Sequence, residues 1–222
     1  MNKLAPHNYF KKEIDMRVFD VCGTIYASNT TFDFIIEYHK THGNMYKYFF
    51  AKTLLSFPFK ILNRLHLFSI RNSLIQTLKG ESRINLEHFG TKFVNEFLSG
   101  KQKEITINIL NKELLNSILI SASVDPVINA VSKKLNVKAY SSLLEYNCDG
   151  ICTGKLSSDL KGIKSSKVDF NNLDLVVTDN MSDIDLIKKS KLAYLIIHKN
   201  NKGRWLHKLN KNSISKDKVR FL

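Results

Sequence analysis

Apolar positions follow two rhythms along this chain. In the stretches 18–21, 117–120, 173–178 and 192–197 they run almost unbroken and include many β-branched residues. That is the signature of short strands buried on both faces. Elsewhere they recur at helical spacing, over 31–38, 45–55, 57–65, 68–78, 85–98, 101–116, 125–135 and 184–189. Thr30 or Thr31 is placed to cap the first of these, Asp125 caps the seventh, and Pro58 suits a break or a first turn. A short strand is expected at 137–140. The stretches 143–147 and 151–156 flank Asp149-Gly150, a two-residue hairpin signal.

Strand signals are nearly absent from 32 to 115, which predicts an all-helical segment inserted between two strands. After it, strands and helices alternate, which predicts an α/β chain with a doubly wound parallel sheet. The division that follows is a Rossmann-like core from 1–26 and 116–222, with a helical cap from 27–115.

In parallel sheets the carboxyl ends of the strands share one edge, where ligand crevices form. Asp20, Ser121 and Asp179 each follow a strand and are therefore expected to converge. Lys167 lies between the last two, with Lys164 close enough to compete. Two carboxylates at one site need a cation between them, and Mg²⁺ takes hard oxygen ligands. A hydroxyl, a lysine and backbone N–H groups can hold the charge of a transferring phosphoryl group. Asp183 falls on the next turn, within reach of a metal through water.

These segments resemble the haloacid dehalogenase (HAD) superfamily, in its helical-cap branch close to phosphoserine phosphatase. Phe19-Asp20-Val21-Cys22-Gly23-Thr24 is similar to motif I, D-x-D-G-T, and Ile120-Ser121-Ala122-Ser123 to motif II. Lys167-Val168 matches motif III, and Thr178-Asp179-Asn180-Met181-Ser182-Asp183 matches motif IV. The stretch from Cys148 to Leu156 is similar to the branch's hairpin, and the helical insertion lies where the branch carries its cap.

The resemblance implies a Mg²⁺-dependent phosphohydrolase working through an aspartyl-phosphate on a small phosphorylated metabolite. Asp20 would be nucleophile and metal ligand, with Asp179, Asp183 and the residue-22 backbone carbonyl as further ligands. Ser121 and Lys167 would hold phosphoryl oxygens, with Gly23, Thr24, Ala122 and Asn180 at the substrate. Position 22 departs from the pattern: the family's acid–base Asp is replaced by Cys22. A thiol titrates near about 8.5 when unperturbed, so it is a weak donor and a poor base. General acid–base catalysis contributes about 10²–10⁴-fold. A slowed enzyme is therefore expected, with a phosphate-binding or regulatory protein of little turnover as the alternative.

Charge adds a partner class. The 222 residues carry a formal net charge of +14, unevenly spread. From Tyr38 to Gly80 there are seven Lys/Arg and no acid, and from His198 to Leu222 eight Lys/Arg against Asp217 alone. Such excess favours anionic partners. Arg64 and Arg71 are the expected contacts to substrate phosphate, and the basic, aromatic cap is a candidate for an anionic membrane surface. No nucleic-acid docking element accompanies the charge, so that partner is not expected. Three cysteines in odd number and no apolar leader point to free thiols and a cytoplasmic protein, at most peripheral to a membrane. His39 and His42 are expected at the surface.

Overall fold

The computed structural model describes residues 16–112, 114–167, 173–198 and 201–222, and of Lys167 the backbone alone. Its strands are β1 (Met16–Phe19), β2 (Ser117–Val124), β3 (Lys138–Tyr146), β4 (Cys152–Ser158), β5 (Leu173–Thr178), β6 (Ser190–Leu195) and β7 (Val219–Phe221). They form one sheet in the order β4-β3-β2-β1-β5-β6-β7. Every pairing is parallel except β3 with β4. β1 is central: Val18 pairs with Ile118 on one side and Val176 on the other. These three side chains are buried, as an unbroken apolar strand requires in a sheet covered on both faces.

Between β1 and β2 run α1 (Thr30–Thr41), α2 (Met45–Leu54), α3 (Phe57–Arg64), α4 (Ile70–Gln76), α5 (Arg83–Lys92) and α6 (Glu104–Asn111). α5 continues into a wider π-helical turn, Phe93–Phe97. α7 (Asp125–Leu135), α8 (Ile184–Lys189) and α9 (Lys202–Lys211) follow the later strands. One face of the sheet shares a core with the inserted helices: Phe34, Phe89 and Phe93 pack in the same cluster as Phe19, Leu119, Val127 and Val131. α5 lies directly on α7, where a side chain on Gly90 would sit 2.3 Å from the Pro126 carbonyl oxygen. The opposite face is covered by α8 and α9, with Ile187, Trp205 and Leu209 against Val18, Ile118 and Val176.

The pattern of apolar positions is realised with several corrections. β3 is one continuous strand where two pieces were expected, because Ser142 in its middle is fully buried and hydrogen-bonded. β2 runs on to Val124. The hairpin closes between Asn147 and Ile151, leaving three residues, with Gly150 at φ 73° taking up the left-handed position. The first cap is Asn29, whose side chain accepts from the Phe32 N–H. Asp125 starts α7 without capping it, and its Oδ1 accepts the Leu144 N–H at 2.9 Å. The basic tail folds: Trp205 and Leu209, one turn apart, bury α9, and β7 adds the last strand.

His39 is likewise buried rather than exposed, while His42 is exposed. Its Nε2 lies 2.8 Å from the Thr77 hydroxyl, which already donates to the Leu74 carbonyl. Nε2 therefore carries the proton, and Nδ1 faces the interior unpartnered. Burial, reinforced by Lys47, lowers His39 to about 4. Since the folded value lies below the unfolded one, stability present above about pH 6.5 is lost as pH falls toward 4, by up to about 3 kcal/mol. Urea melts across that range should show a steeper loss for wild type than for His39→Gln.

Candidate active site

The carboxyl ends of β1, β2 and β5 and the turn Lys164–Lys167 enclose a cleft of about 470 Å³. Asp20, Cys22, Ser121, Lys164, Asp179 and Asn180 line it. Asp20 leaves β1 with its N–H on the Val177 carbonyl at 2.9 Å, so its position is fixed by the central strand pair. Its Oδ1 accepts the Val21 N–H, and its Oδ2 lies 2.7 Å from Lys164 Nζ. The same ammonium donates to Asp183 Oδ2 at 2.8 Å, and that oxygen accepts from the Thr178 hydroxyl at 2.8 Å.

This carboxylate–ammonium–carboxylate bridge is buried throughout. Burial works against the charge on Lys164, but Asp20 and Asp183 outweigh it and hold the ammonium above the usual lysine range. Burial raises Asp20 most; Lys164 pulls it back, Asp183 and Asp179 raise it further, and it stands at about 7. Two carboxylates thus share one buried ammonium, and Asp179 adds a third carboxylate to the cleft.

Asp179 follows β5, and its carboxylate lies over the turn after β1. Thr24 Oγ1 donates to Asp179 Oδ1 at 3.0 Å and accepts the Asp179 N–H at 2.9 Å. Gly23 sits beneath at φ 73°, and a Cβ there would meet Asp179 Oδ2 at 2.0 Å. Glycine is required twice, for the left-handed backbone and for the space. Gly23 and Thr24 thus position Asp179.

No protein-family model matches the chain, and no curated protein sequence matches it. Solved structures do. A protein of unknown function from Bordetella pertussis Tohama I is 13% identical over 92% of this chain and 97% of its own, with a TM-score of 0.72. Phosphoserine phosphatase in its apo form is 17% identical over 90% of this chain and 99% of its own, at 0.53. A HAD family hydrolase from Salmonella enterica serovar Typhi is 12% identical over 90% of this chain and 65% of its own, at 0.59. The chain shares the fold of these phosphatase and HAD family hydrolase structures. At such identities the likeness is one of fold, and the site has to be read from its own residues.

In this HAD fold the donor set suits a hard divalent cation. Asp20 and Asp179 bring carboxylate oxygens to the cleft, the hard donors such an ion takes. Among the described residues no three His, Cys, Asp or Glu side chains form a ready-made cage. Asp183 Oδ2 is taken up by Lys164 and Thr178, which makes Asp183 the group that positions the lysine.

Cys22 is half-buried, and its thiol donates to the Ser28 carbonyl at 3.1 Å. Burial first, then the charge of Asp20, pushes it up to about 12, so it stays a neutral thiol. Ser121 is buried at the cleft wall and accepts the Ser123 N–H at 3.2 Å. Asn180 lines the cleft and caps the turn after it, accepting from the Ser182 N–H.

Two expectations require correction. That for the lysine needs none: Lys164, the competing candidate, stands beside Asp20, and the side chain of Lys167 lies outside the described residues. Arg71 reaches the cleft, but three of its five N–H donors go to Asp159 at 2.6 Å, the Ala122 carbonyl at 2.6 Å and Ser142 at 3.1 Å. It ties α4 to the end of β2. Ala122 lines the cleft and offers that carbonyl to Arg71. Arg64 is exposed and does not line the cleft. Asn63 does, turned inward by accepting the Ile70 N–H, and the next residue on a helix points about 100° away.

Two further cations line the cleft, Lys161 and Arg204, which sequence reasoning missed. It also missed His198, whose Nε2 lies 3.2 Å from Asp179 Oδ2. Position just beyond β6 was the available signal for His198, since that strand ends on the same edge of the sheet.

Proposed function

We infer that this chain is a Mg²⁺-dependent phosphohydrolase that passes the phosphoryl group of a small phosphorylated metabolite to Asp20 and then to water. The observation that carries this reading is the buried bridge from Asp20 through Lys164 to Asp183, in a cleft shared with Ser121 and Asp179. Asp20 attacks phosphorus with a carboxylate oxygen. Lys164, held by Asp183, faces the oxygens of the incoming group, and the Ser121 hydroxyl is available to another. Mg²⁺, held by Asp20, Asp179 and the residue-22 carbonyl, would neutralise phosphoryl charge. The helices α1 to α6 act as the cap, and Lys161 and Arg204 supply positive charge at the mouth.

Cys22 divides the reaction unevenly. Transfer to Asp20 needs no strong acid when the leaving group is a phenolate. Attack of water on the aspartyl-phosphate needs a base, and a thiol held neutral to about 12 cannot serve. With 4-nitrophenyl phosphate and Mg²⁺ the chain should release a burst of about one nitrophenolate per protein, followed by slow turnover. Cys22→Asp should raise the steady rate at least about tenfold and remove the burst. EDTA should abolish both. If neither protein releases phosphate with Mg²⁺, the reading fails. Phosphate binding by the wild type without turnover in Cys22→Asp would instead favour a binding protein, the second reading that Cys22 supports.

A further inference from the structure

We propose that α2 and α3 form a docking surface for an anionic lipid bilayer. α3 buries none of its residues, although five of its eight are apolar or proline. Phe57 and Ile61, with Leu65 just past the helix end, fall one turn apart along one stripe; Phe57 is 75% and Leu65 60% exposed. α2 adds Tyr46, Phe49 and Phe50, exposed by 83%, 60% and 44%. Water-facing aromatics in this number on two adjacent short helices exceed what a monomer's surface ordinarily carries. An aromatic groove of about 570 Å³, walled by Tyr46, Phe50, Phe59 and Phe68, adjoins them.

Charge selects the occupant. Lys52, Lys60 and Arg64 are exposed on the same two helices, and no acidic residue occurs from Tyr38 to Gly80. Apolar side chains flanked by cations on an amphipathic helix are the chemistry of the headgroup–acyl boundary of an anionic leaflet. A second copy fits poorly, because a symmetric pairing sets like charges against each other with no carboxylate to relieve them. No helix among the described residues is long and apolar enough to span a membrane, so the contact is peripheral. Asn63, two residues from Ile61 and Leu65 and so on the opposite side of α3, lines the active cleft, which puts α3 between the cleft and the docked face. The proposal does not depend on the activity inferred above.

The test is co-sedimentation of the full chain with vesicles of phosphatidylcholine, with and without phosphatidylglycerol. Wild type should pellet with the anionic vesicles and far less with neutral ones. Partition should fall at least about tenfold in Phe49→Ser/Phe57→Ser/Leu65→Ser and in Lys52→Glu/Lys60→Glu/Arg64→Glu, from lost insertion and lost attraction respectively. All six positions are exposed, so unchanged circular dichroism is expected for both. The proposal is overturned by wild type remaining in the supernatant, by equal binding to neutral vesicles, or by both variants pelleting like wild type. It is also overturned if sedimentation velocity finds a wild-type dimer that the apolar variant dissolves while neither protein binds vesicles.

Discussion

Asp20→Asn should lower phosphate release from 4-nitrophenyl phosphate by about 10⁴-fold or more, because an amide cannot form the phosphorylated carboxylate. The same substitution should stabilise the protein in EDTA. Asp20 is buried with its carboxyl raised to about 7, above the unfolded value of 3.8, so the folded state holds a proton that the unfolded state has released. Wild-type stability therefore falls as pH rises from about 4 to about 7, and the penalty is complete above that window. An isosteric neutral side chain removes it, while Lys164 keeps Asp183. Denaturation in EDTA at pH 5 and pH 8 should find the variant's advantage only at the higher pH, at about 1 kcal/mol or more. Turnover that persists in Asp20→Asn would refute the aspartyl-phosphate route.

Lys164→Met should be the most destabilising change in the cleft. It leaves Asp20 and Asp183 buried near one another without a cation. Breaking a buried ion pair from one side costs about 3–5 kcal/mol, most of it from the stranded charge. The double variant Lys164→Met/Asp183→Asn should recover much of that loss but no activity. A double variant as unstable as the single would mean that Lys164 acts through packing alone. Chemical denaturation of the three proteins in parallel makes the comparison, and the failure of additivity measures the coupling.

The convergence of Asp20, Ser121 and Asp179 was legible because strand ends in a parallel sheet share an edge, and apolar runs locate strand ends well. Lys164 was not separable from Lys167, since the two stand three residues apart in one short 3₁₀ turn, a spacing that puts both on one face. Arg71 was misread for a related reason. Sequence gives its charge but not the Asp159 and Ala122 oxygens that consume it. α9 was hidden by its lysines, which disguise the two apolar anchors Trp205 and Leu209, and β7 by its brevity of three residues. The spacing that foretold α3 could not reveal that its apolar side would have nothing packed on it, because periodicity describes a helix and not its neighbours.

The seating of the inserted helices bears on how a ligand gains entry. α5 rests on α7 at the Gly90–Pro126 contact, and α4 is latched to the sheet by Arg71. Gly80 and Arg83 donate their N–H groups to the Cys152 and Gly150 carbonyls of the hairpin. Inserted helices pinned at three separated points have no single axis on which to swing. On the function proposed above, admission falls to the side chains around the opening, and the gate is the size of a few rotamers rather than of a domain.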